Sequence, residues 1–355
     1  MKAITRPTHH GRTGRGDCGI PENTRMSDTT HWIIPAASSR LPGCPQALER
    51  LSLPHLQRLL NRLSPTEAPL SVADDAPYLP HELAHARALG LPAQGDQRPW
   101  AAWHRLRRHQ SPGTAAWAFV TPCHWQVGTD HITLQRPESL GLNEAGSRAL
   151  LAIVAPWFAE DGITLHYESA GLWLAEGEPL RHYASPSLER VAGVDLRHWM
   201  QPAPAGAQAT PAQQASRTLQ RLHSEMQMLL YTHPFNDARA EQRQWPINAF
   251  WVHGAGALPA GWEPPATEPL VLTALQEALR AGDVAGWAQA WQALDAGPLA
   301  ELAQRAEAGD TSRAIRLTLC GDETAQTWHA APQGWMRKIQ GVFSPLRATS
   351  VLEKL

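Results

Sequence analysis

The stretch HPFNDARAEQRQWPINAFWVHGAG, residues 233–256, does most to decide the fold of this chain. Its second half places Phe250, Trp251 and Val252 shortly before Gly254 and Gly256. A short apolar run that ends in glycines is typical of a buried strand whose backbone is closely approached by another group. We therefore predict a strand here that forms the edge of a site.

Outside this stretch, the two ends of the chain carry strand and helix patterns in alternation. Residues 31–39 predict a buried strand that runs into a loop, and residues 48–63 have apolar side chains at helical spacing. Residues 315–320 predict a late strand, which ends just before Asp322 and Glu323. Strands whose carboxyl ends run into loops place a site along one edge of a parallel sheet. The pattern favours the α/β class.

The middle of the chain differs in pattern from its ends. Polar residues 92–113 predict a loop, and residues 114–176 predict four strands and one helix, with Asn143 as the N-cap. This is a compact α+β unit of the kind that is inserted into larger folds. Low-complexity residues 201–214 predict a linker, and residues 215–231 a helix.

Two further helices are predicted from local signals. Pro80 suits the first turn of a helix that begins near it. Downstream of a short predicted strand at 270–272, apolar residues recur at intervals that place them on one helical face, which predicts a core stripe. That stripe consists of Val284, Trp287, Trp291 and Leu294.

Composition excludes several functional classes. The chain has 355 residues and a formal net charge of −2, so it lacks the basic footprint of a nucleic-acid-binding protein. No apolar run approaches the roughly 20 residues that span a bilayer, and the first 25 residues lack the hydrophobic stretch of a signal peptide. The four cysteines are far apart, as in a cytosolic protein with free thiols. We expect a cytoplasmic protein without nucleic-acid or membrane partners.

Five motifs, in this order and spacing, carry a family resemblance. They are SLPHLQRLLNRL (52–63), LAHARALGLP (83–92), SPGTAAWAFVTP (111–122), the opening stretch with its HPFN, Arg239, Arg243 and Asn248, and GDVAGWAQAWQALD (282–295). On these motifs the chain resembles the cofactor-independent phosphoglycerate mutases, especially the archaeal type, which belong to the alkaline-phosphatase superfamily. The resemblance extends to divergent bacterial proteins described as phosphoglycerate mutases or as regulators of pathogenicity factors.

The resemblance implies a particular architecture. It implies an α/β, alkaline-phosphatase-like three-layer core with a mainly parallel sheet and a small inserted α+β domain. The core would comprise residues 28–113 and 215–350, and the insertion residues 114–200. Residues 201–214 would be the linker, and residues 1–27 a disordered tail.

The chemistry that the resemblance implies does not follow the fold. Mutases of this family use two divalent metals, held by aspartates and histidines, to activate a serine that takes up and returns a phosphoryl group. The first aspartate position falls within 34–38, which contains no carboxylate, and the serine position falls on His81, beside Glu82. The Asp-x-x-x-His metal pair falls on Gln276 and Arg280. We therefore expect no metal and no other cofactor.

Three residues are the catalytic candidates of a rearranged site. The family's late Asp-His pair becomes Asp322 and Glu323, and these residues would act with His81 and the nearby His329. An imidazole at a helix N-terminus can accept a phosphoryl group, and the helix dipole favours its neutral, nucleophilic form. The alternative is that His81 only caps or packs the helix.

Arg280 is the most consequential replacement, because a guanidinium would repel a metal yet could grip a phosphate or carboxylate with two parallel hydrogen bonds. Its alternative is a surface salt bridge with Glu277 or Asp283. The polar residues of the opening stretch either orient a ligand or satisfy a turn. The predicted ligand-binding residues are His233, Asn236, Arg239, Asn248 and Arg280.

Three functions follow from these interpretations. The first is a phosphoglycerate-mutase-like protein that has lost most metal ligands and serves as a non-catalytic regulatory or small-anion-binding relative. Its expected partner is a small phosphorylated or carboxylate ligand. The second is an active mutase or phosphatase with a rearranged site, and the third a structural interaction protein that works through the inserted domain and tryptophan-rich surfaces. The sequence identifies no protein partner and leaves enzymatic activity open.

Overall fold

The computed structural model describes residues 28–66, 68–200, 209–308, 313–330 and 347–355. The predicted tail lies outside these residues, as do residues 201–208 of the predicted linker. The described residues form a mixed α/β protein with two separate sheets. None of the described helices is long and apolar enough to span a membrane.

The strands are β1 (Asp28–Ile34), β2 (Ser64–Pro65), β3 (Leu70–Ser71), β4 (Trp117–Val127), β5 (Ile132–Gln135), β6 (Thr164–Ser169), β7 (Leu172–Glu176), β8 (Ala249–Gly256), β9 (Leu270–Val271), β10 (Arg313–Cys320) and β11 (Thr324–His329). The helices are α1 (Cys44–Arg50), α2 (Pro54–Arg62), α3 (Pro80–Leu89), α4 (Trp100–Arg107), α5 (Glu144–Glu160), α6 (Leu188–Val191), α7 (Pro211–Tyr231), α8 (Pro234–Glu241), α9 (Ala274–Arg280), α10 (Val284–Leu294), α11 (Ala300–Glu307) and α12 (Ala348–Leu352).

The first sheet has the strand order β2–β11–β10–β1–β9, and β3 also pairs with β11. Strands β9, β1 and β10 are parallel, whereas β11 runs antiparallel to β10, β2 and β3. The sheet is therefore mixed rather than mainly parallel as predicted. The physical reason is the short link at 321–323, because so few residues can join only antiparallel neighbours.

Helices pack on both faces of the first sheet. Ile34, Leu317 and Leu319 share a cluster with helices α1, α2, α10, α11 and α12, whereas Ile33 and Cys320 face α3. The predicted core stripe is confirmed, since Trp287 and Trp291 are fully buried. Their indole nitrogens donate to the carbonyls of Ala36 and Ala37, which fixes the loop after β1.

Two helix predictions need correction. The single helix predicted over 48–63 is divided into α1 and α2, because Pro54 begins a new helix and disfavours helical backbone just before it. The predicted loop at 92–113 contains α4, whose apolar face buries Ala101, Ala102 and Trp103.

The second sheet has the order β5–β4–β7–β6, with β8 paired antiparallel to β4. Helix α7 covers it, and Leu222 and Met226 share a core cluster with Trp173 and Phe250. The second unit therefore continues past residue 200 and includes α7 and β8, which the prediction assigned to the core at 215–350. Strand β8 belongs here because its backbone bonds to β4, a partner that no local pattern identifies.

Candidate functional site

The amino end of α3 positions His81 and Glu82 at the junction of the two units. Pro80 occupies the first helical turn, where its missing N–H costs nothing. The Oε2 atom of Glu82 accepts from the backbone nitrogen of Leu79 at 2.8 Å and from the Ser187 hydroxyl of the second unit, also at 2.8 Å. This turn of α3 is thereby held against the second unit.

His81 lies next to the two positions that the resemblance assigns to metal ligands. The Nε2 atom of Gln276, on α9, lies 3.4 Å from Nε2 of His81 and donates to Oε2 of Glu189 at 3.2 Å. Arg280, one turn further along α9, also binds Glu189. Three positions that are far apart in sequence thus converge on one carboxylate.

Glu189, on α6 of the second unit, is the centre of this cluster. Arg280 holds it through Nε to Oε2 at 3.0 Å and Nη2 to Oε1 at 2.7 Å. Arg136 donates from Nη1 to Oε1 at 2.6 Å. Paired parallel bonds of this kind are the arrangement in which arginine recognises a carboxylate or phosphate. We name the five residues His81, Arg136, Glu189, Gln276 and Arg280 the carboxylate cluster.

Burial and charge set the protonation states in and beside this cluster. Burial lowers the pKa of His81 to about 4, against an opposing effect of Glu189. Burial works to raise the pKa of Glu189, but Arg136 and Arg280 outweigh it, and its pKa lies below the usual range. Burial raises the pKa of Glu82 to about 7. At neutral pH His81 is therefore neutral, and Glu189 is ionised.

The carboxyl end of β1 lies near the predicted catalytic pair. Asp322 accepts from the backbone nitrogen of Arg40 at 2.6 Å and from the Ser39 hydroxyl at 3.2 Å, while Glu323 forms an ion pair with Arg40. Both carboxylates thus fasten the loop after β1. His329, at the end of β11, bonds instead to the Ser64 carbonyl through Nδ1 at 3.1 Å.

The donor set does not fit a two-metal centre. Within the described ranges, no group of three or more His, Cys, Asp and Glu side chains could hold a metal ion. The first aspartate position falls within 34–38, which has no carboxylate, and Gln276 and Arg280 occupy the metal-pair positions. A guanidinium fixed among these positions repels a cation, which makes the cluster a poor host for a metal.

No family model and no curated protein matches the sequence. Two solved structures are similar to the chain: a cofactor-independent phosphoglycerate mutase from Thermoplasma acidophilum DSM 1728, and the PH0037 protein from Pyrococcus horikoshii. The first has a TM-score of 0.36 and 13% identity, covering 92% of this chain and 100% of that one. The second has a TM-score of 0.42 and 11% identity, covering 86% and 88%. We draw no conclusion about the site from these scores.

The polar residues of the 233–256 stretch bond to the protein's own backbone. His233 caps α8 by accepting from the Phe235 nitrogen at 3.1 Å. Asn236 donates to the carbonyls of Leu230 and Ile247 and accepts from the Ile247 nitrogen, each at 2.9 Å.

Arg239 and Asn248 serve the backbone in the same way. Arg239 donates to the carbonyls of Trp245 and Leu140, and Asn248 bonds to both backbone groups of Trp125. Their predicted role as ligand contacts, with that of His233 and Asn236, stays a prediction.

The predicted strand of this stretch is β8, and the close approach to its glycines comes from the protein itself. Gly254 has a φ of 61°, and a Cβ atom there would lie 3.0 Å from Trp100 and from Phe119. Only glycine suits a position with both a left-handed backbone and so little space.

Glu189, Arg136 and Ser187 were not predicted from the sequence. Glu189 lies on a helix of four residues, too short to show a periodic pattern. One signal was present: two arginines without an assigned counter-ion, Arg136 and Arg280, call for a buried acid. Nothing in the sequence indicates which of the many glutamates supplies it. The predicted alternatives for Arg280 are wrong, since Glu277 binds Thr273 and Asp283 caps α10.

Proposed function

We propose that this protein is a non-catalytic, phosphoglycerate-mutase-like protein that binds a small phosphorylated or carboxylate ligand at the carboxylate cluster. The observation that carries the proposal is the paired grip of Arg280 on Glu189. In it, a carboxylate of the protein stands where a ligand's carboxylate or phosphate would be recognised. An external anion binds by displacing Glu189.

The charges of the cluster support an anionic ligand. Arg136 and Arg280 contribute two positive charges and Glu189 one negative charge, while His81 is neutral. Glu82, with its pKa raised to about 7, is largely protonated below neutral pH. The cluster thus keeps a positive charge even with Glu189 in place. A phosphate, which carries up to two negative charges and several acceptor oxygens, satisfies both guanidinium groups at once.

The side chains favour binding over catalysis. Neutral His81 faces the amide of Gln276, which cannot act as a base for it. Asp322 and Glu323 are engaged by the loop after β1, and His329 by Ser64, so each has partners other than His81. An active mutase or phosphatase that used these four residues together would have to break those bonds.

A second candidate is a structural role, favoured by a specific observation. The residues on either side of Glu189 also bond to the first unit. Ser187 donates its backbone nitrogen to the Pro77 carbonyl at 2.9 Å, and Arg190 donates to the carbonyls of Ala76 and Asp74. In this interpretation Glu189 is one part of a permanent joint between the units.

Calorimetric titration of the full chain with inorganic phosphate and with 3-phosphoglycerate separates the two candidates. Anion binding predicts measurable affinity for at least one of them, and a loss of tenfold or more in Arg280→Ala. The matched control is Arg148→Ala, because Arg148 is exposed and pairs only with Glu144 one turn away on α5. Equal affinities in Arg280→Ala and the unaltered protein would refute anion binding at this site, and absence of binding would favour the structural joint.

Metal analysis and a mutase assay test the non-catalytic part independently. We expect substoichiometric manganese and zinc, and no interconversion of 3- and 2-phosphoglycerate. A protein that carries either metal stoichiometrically and turns over this substrate would contradict the proposal.

A further inference from the structure

A cavity of about 420 Å³ lies in the second unit, between α7, β8 and the segment at 183–186. Its volume is within the range of small-molecule sites. Strand β8 contributes Phe250, Trp251 and Val252, the apolar run of the stretch predicted to form a site edge. We call it the aromatic cavity, because its wall also includes Trp125 and Trp199.

The aromatic walls are held in place by the protein. The ring of Trp125 is stacked on that of His223, with centroids 3.9 Å apart and planes at 24°. The indole nitrogen of Trp251 donates to the Pro186 carbonyl at 3.0 Å. Both tryptophans are less than one-tenth exposed, so their rings form a preorganised surface for another flat ring.

The lining excludes charged ligands. Among the described residues that line the aromatic cavity there is no Lys, Arg, Asp or Glu. Burial lowers the pKa of His223 to about 4, with a smaller opposing effect of the Phe250 backbone, so this ring is neutral at physiological pH. An ion that entered would lose its hydration without gaining a counter-charge, which is unfavourable.

His223 supplies one polar requirement. Its Nε2 atom is buried and has no hydrogen-bond partner, an uncommon state for a buried polar atom. The Phe250 backbone raises the pKa of His223, as a carbonyl does when it accepts from a ring N–H. With Nε2 unpartnered, the nitrogen that donates to Phe250 is Nδ1, which leaves Nε2 as an acceptor. The matching group on a ligand is a hydroxyl or N–H donor.

We propose that the aromatic cavity binds an uncharged, planar aromatic molecule with one hydroxyl or N–H donor, of the phenol or indole type. Its ring lies beside Trp125 and Trp251, and its donor bonds to Nε2 of His223. This site is distinct from the carboxylate cluster, and its existence does not depend on the function proposed there.

Three probes of nearly equal shape test each part of the proposal on the full chain. They are 2-naphthol, naphthalene, which lacks the donor, and 2-naphthoate, which is charged at neutral pH. Binding is followed by calorimetry and by quenching of tryptophan fluorescence. We expect 2-naphthol to bind at least fivefold more tightly than naphthalene and at least tenfold more tightly than 2-naphthoate. No binding of 2-naphthol, or equal binding of all three probes, would overturn the proposal.

Substitution of the acceptor locates the site. His223→Phe keeps an aromatic ring against Trp125 but removes Nε2, so 2-naphthol and naphthalene should then bind with equal affinity. The control His131→Phe alters an exposed histidine on the β4–β5 connection and should keep the difference. A preference for 2-naphthol that survives in His223→Phe would show that the donor binds elsewhere and would overturn the assignment. Near-ultraviolet circular dichroism verifies that each variant is folded.

Discussion

Arg280 and Glu189 face each other across the junction of the two units and are joined at two atom pairs, Nε to Oε2 at 3.0 Å and Nη2 to Oε1 at 2.7 Å. One residue belongs to α9 of the first unit and the other to α6 of the second. The same contact therefore defines an anion-binding geometry and connects the two units. Substitutions can separate these two roles.

Glu189→Gln should raise the affinity for phosphate while lowering stability in its absence. The amide keeps the size of the side chain but removes the charge that competes with an external anion. We expect about a tenfold gain in affinity for phosphate. Without phosphate, Arg136 and Arg280 lose their counter-ion, and because all three side chains are partly exposed the loss in unfolding free energy should be about 2 kcal/mol.

Chemical denaturation with and without phosphate measures both effects, and Glu160→Gln, an exposed carboxylate at the end of α5, serves as the control. If phosphate fails to restore stability in Glu189→Gln, Glu189 is only a structural partner of the two arginines.

Asn236→Leu should destabilise the fold by about 3 kcal/mol, since it leaves the Leu230 carbonyl and both backbone groups of Ile247 unpaired in a buried place. The neighbouring Asp237→Ala removes an exposed side chain and should change stability by less than about 1 kcal/mol. Urea unfolding of both variants makes the comparison. Similar stabilities would mean that the Asn236 network contributes little.

Acid should destabilise this protein well above the pH at which most carboxylates titrate. Five histidines have a pKa lowered to about 4, primarily by burial: His31, His81, His85, His223 and His253. Between pH 6.5 and 4 the unfolded chain binds protons at these positions and the folded chain does not, so the unfolding free energy falls as pH falls. His253→Gln should reduce that slope by up to about 1.4 kcal/mol per pH unit.

Urea unfolding at half-unit steps from pH 4 to 7 gives the slope. The exposed His131→Gln is the matched control and should leave it unchanged. A His253→Gln slope equal to that of the unaltered protein would mean that His253 titrates normally in the folded state.

Glu82 should act in the opposite direction. Burial raises its pKa to about 7, so between pH 4.5 and 7 the folded protein holds a proton that the unfolded chain has released. Its contribution to stability is complete below pH 4.5 and is lost as pH rises through 7. Glu82→Gln keeps an acceptor oxygen for Leu79 and Ser187 without a charge to desolvate. The variant should therefore gain stability over the unaltered protein as pH rises from 5 to 8, and a constant difference would contradict the raised pKa.

Much of the secondary structure follows from local signals. The helix that begins at Pro80, the Asn143 cap and the buried stripe with Trp287 and Trp291 were all predictable, because proline, side-chain capping and helical spacing act within a few residues. Helix α4 was not predictable in the same way. Its buried face consists mainly of small alanines, and its arginines give the segment the polarity of a loop.

The pairing of elements and the site were harder to predict. The resemblance placed His81, Gln276 and Arg280 at related positions, and the structure brings them together. It could not supply Glu189, because which acid meets two arginines depends on the docking of the second unit. Likewise Asn236 has the residue type of a ligand contact, and only the fold shows that its amide bonds to two backbone segments.

The adjacency of β4 and β8 has a consequence for ancestry. A segment whose outer strands are neighbours can be gained or lost at a single point of a host chain with little disturbance to the host. All residues that line the aromatic cavity lie between Trp125 and Val252, and so do Arg136 and Glu189. A relative without this segment would lose the cavity and the competing carboxylate in one event, and would keep Arg280 on an open, positively charged surface.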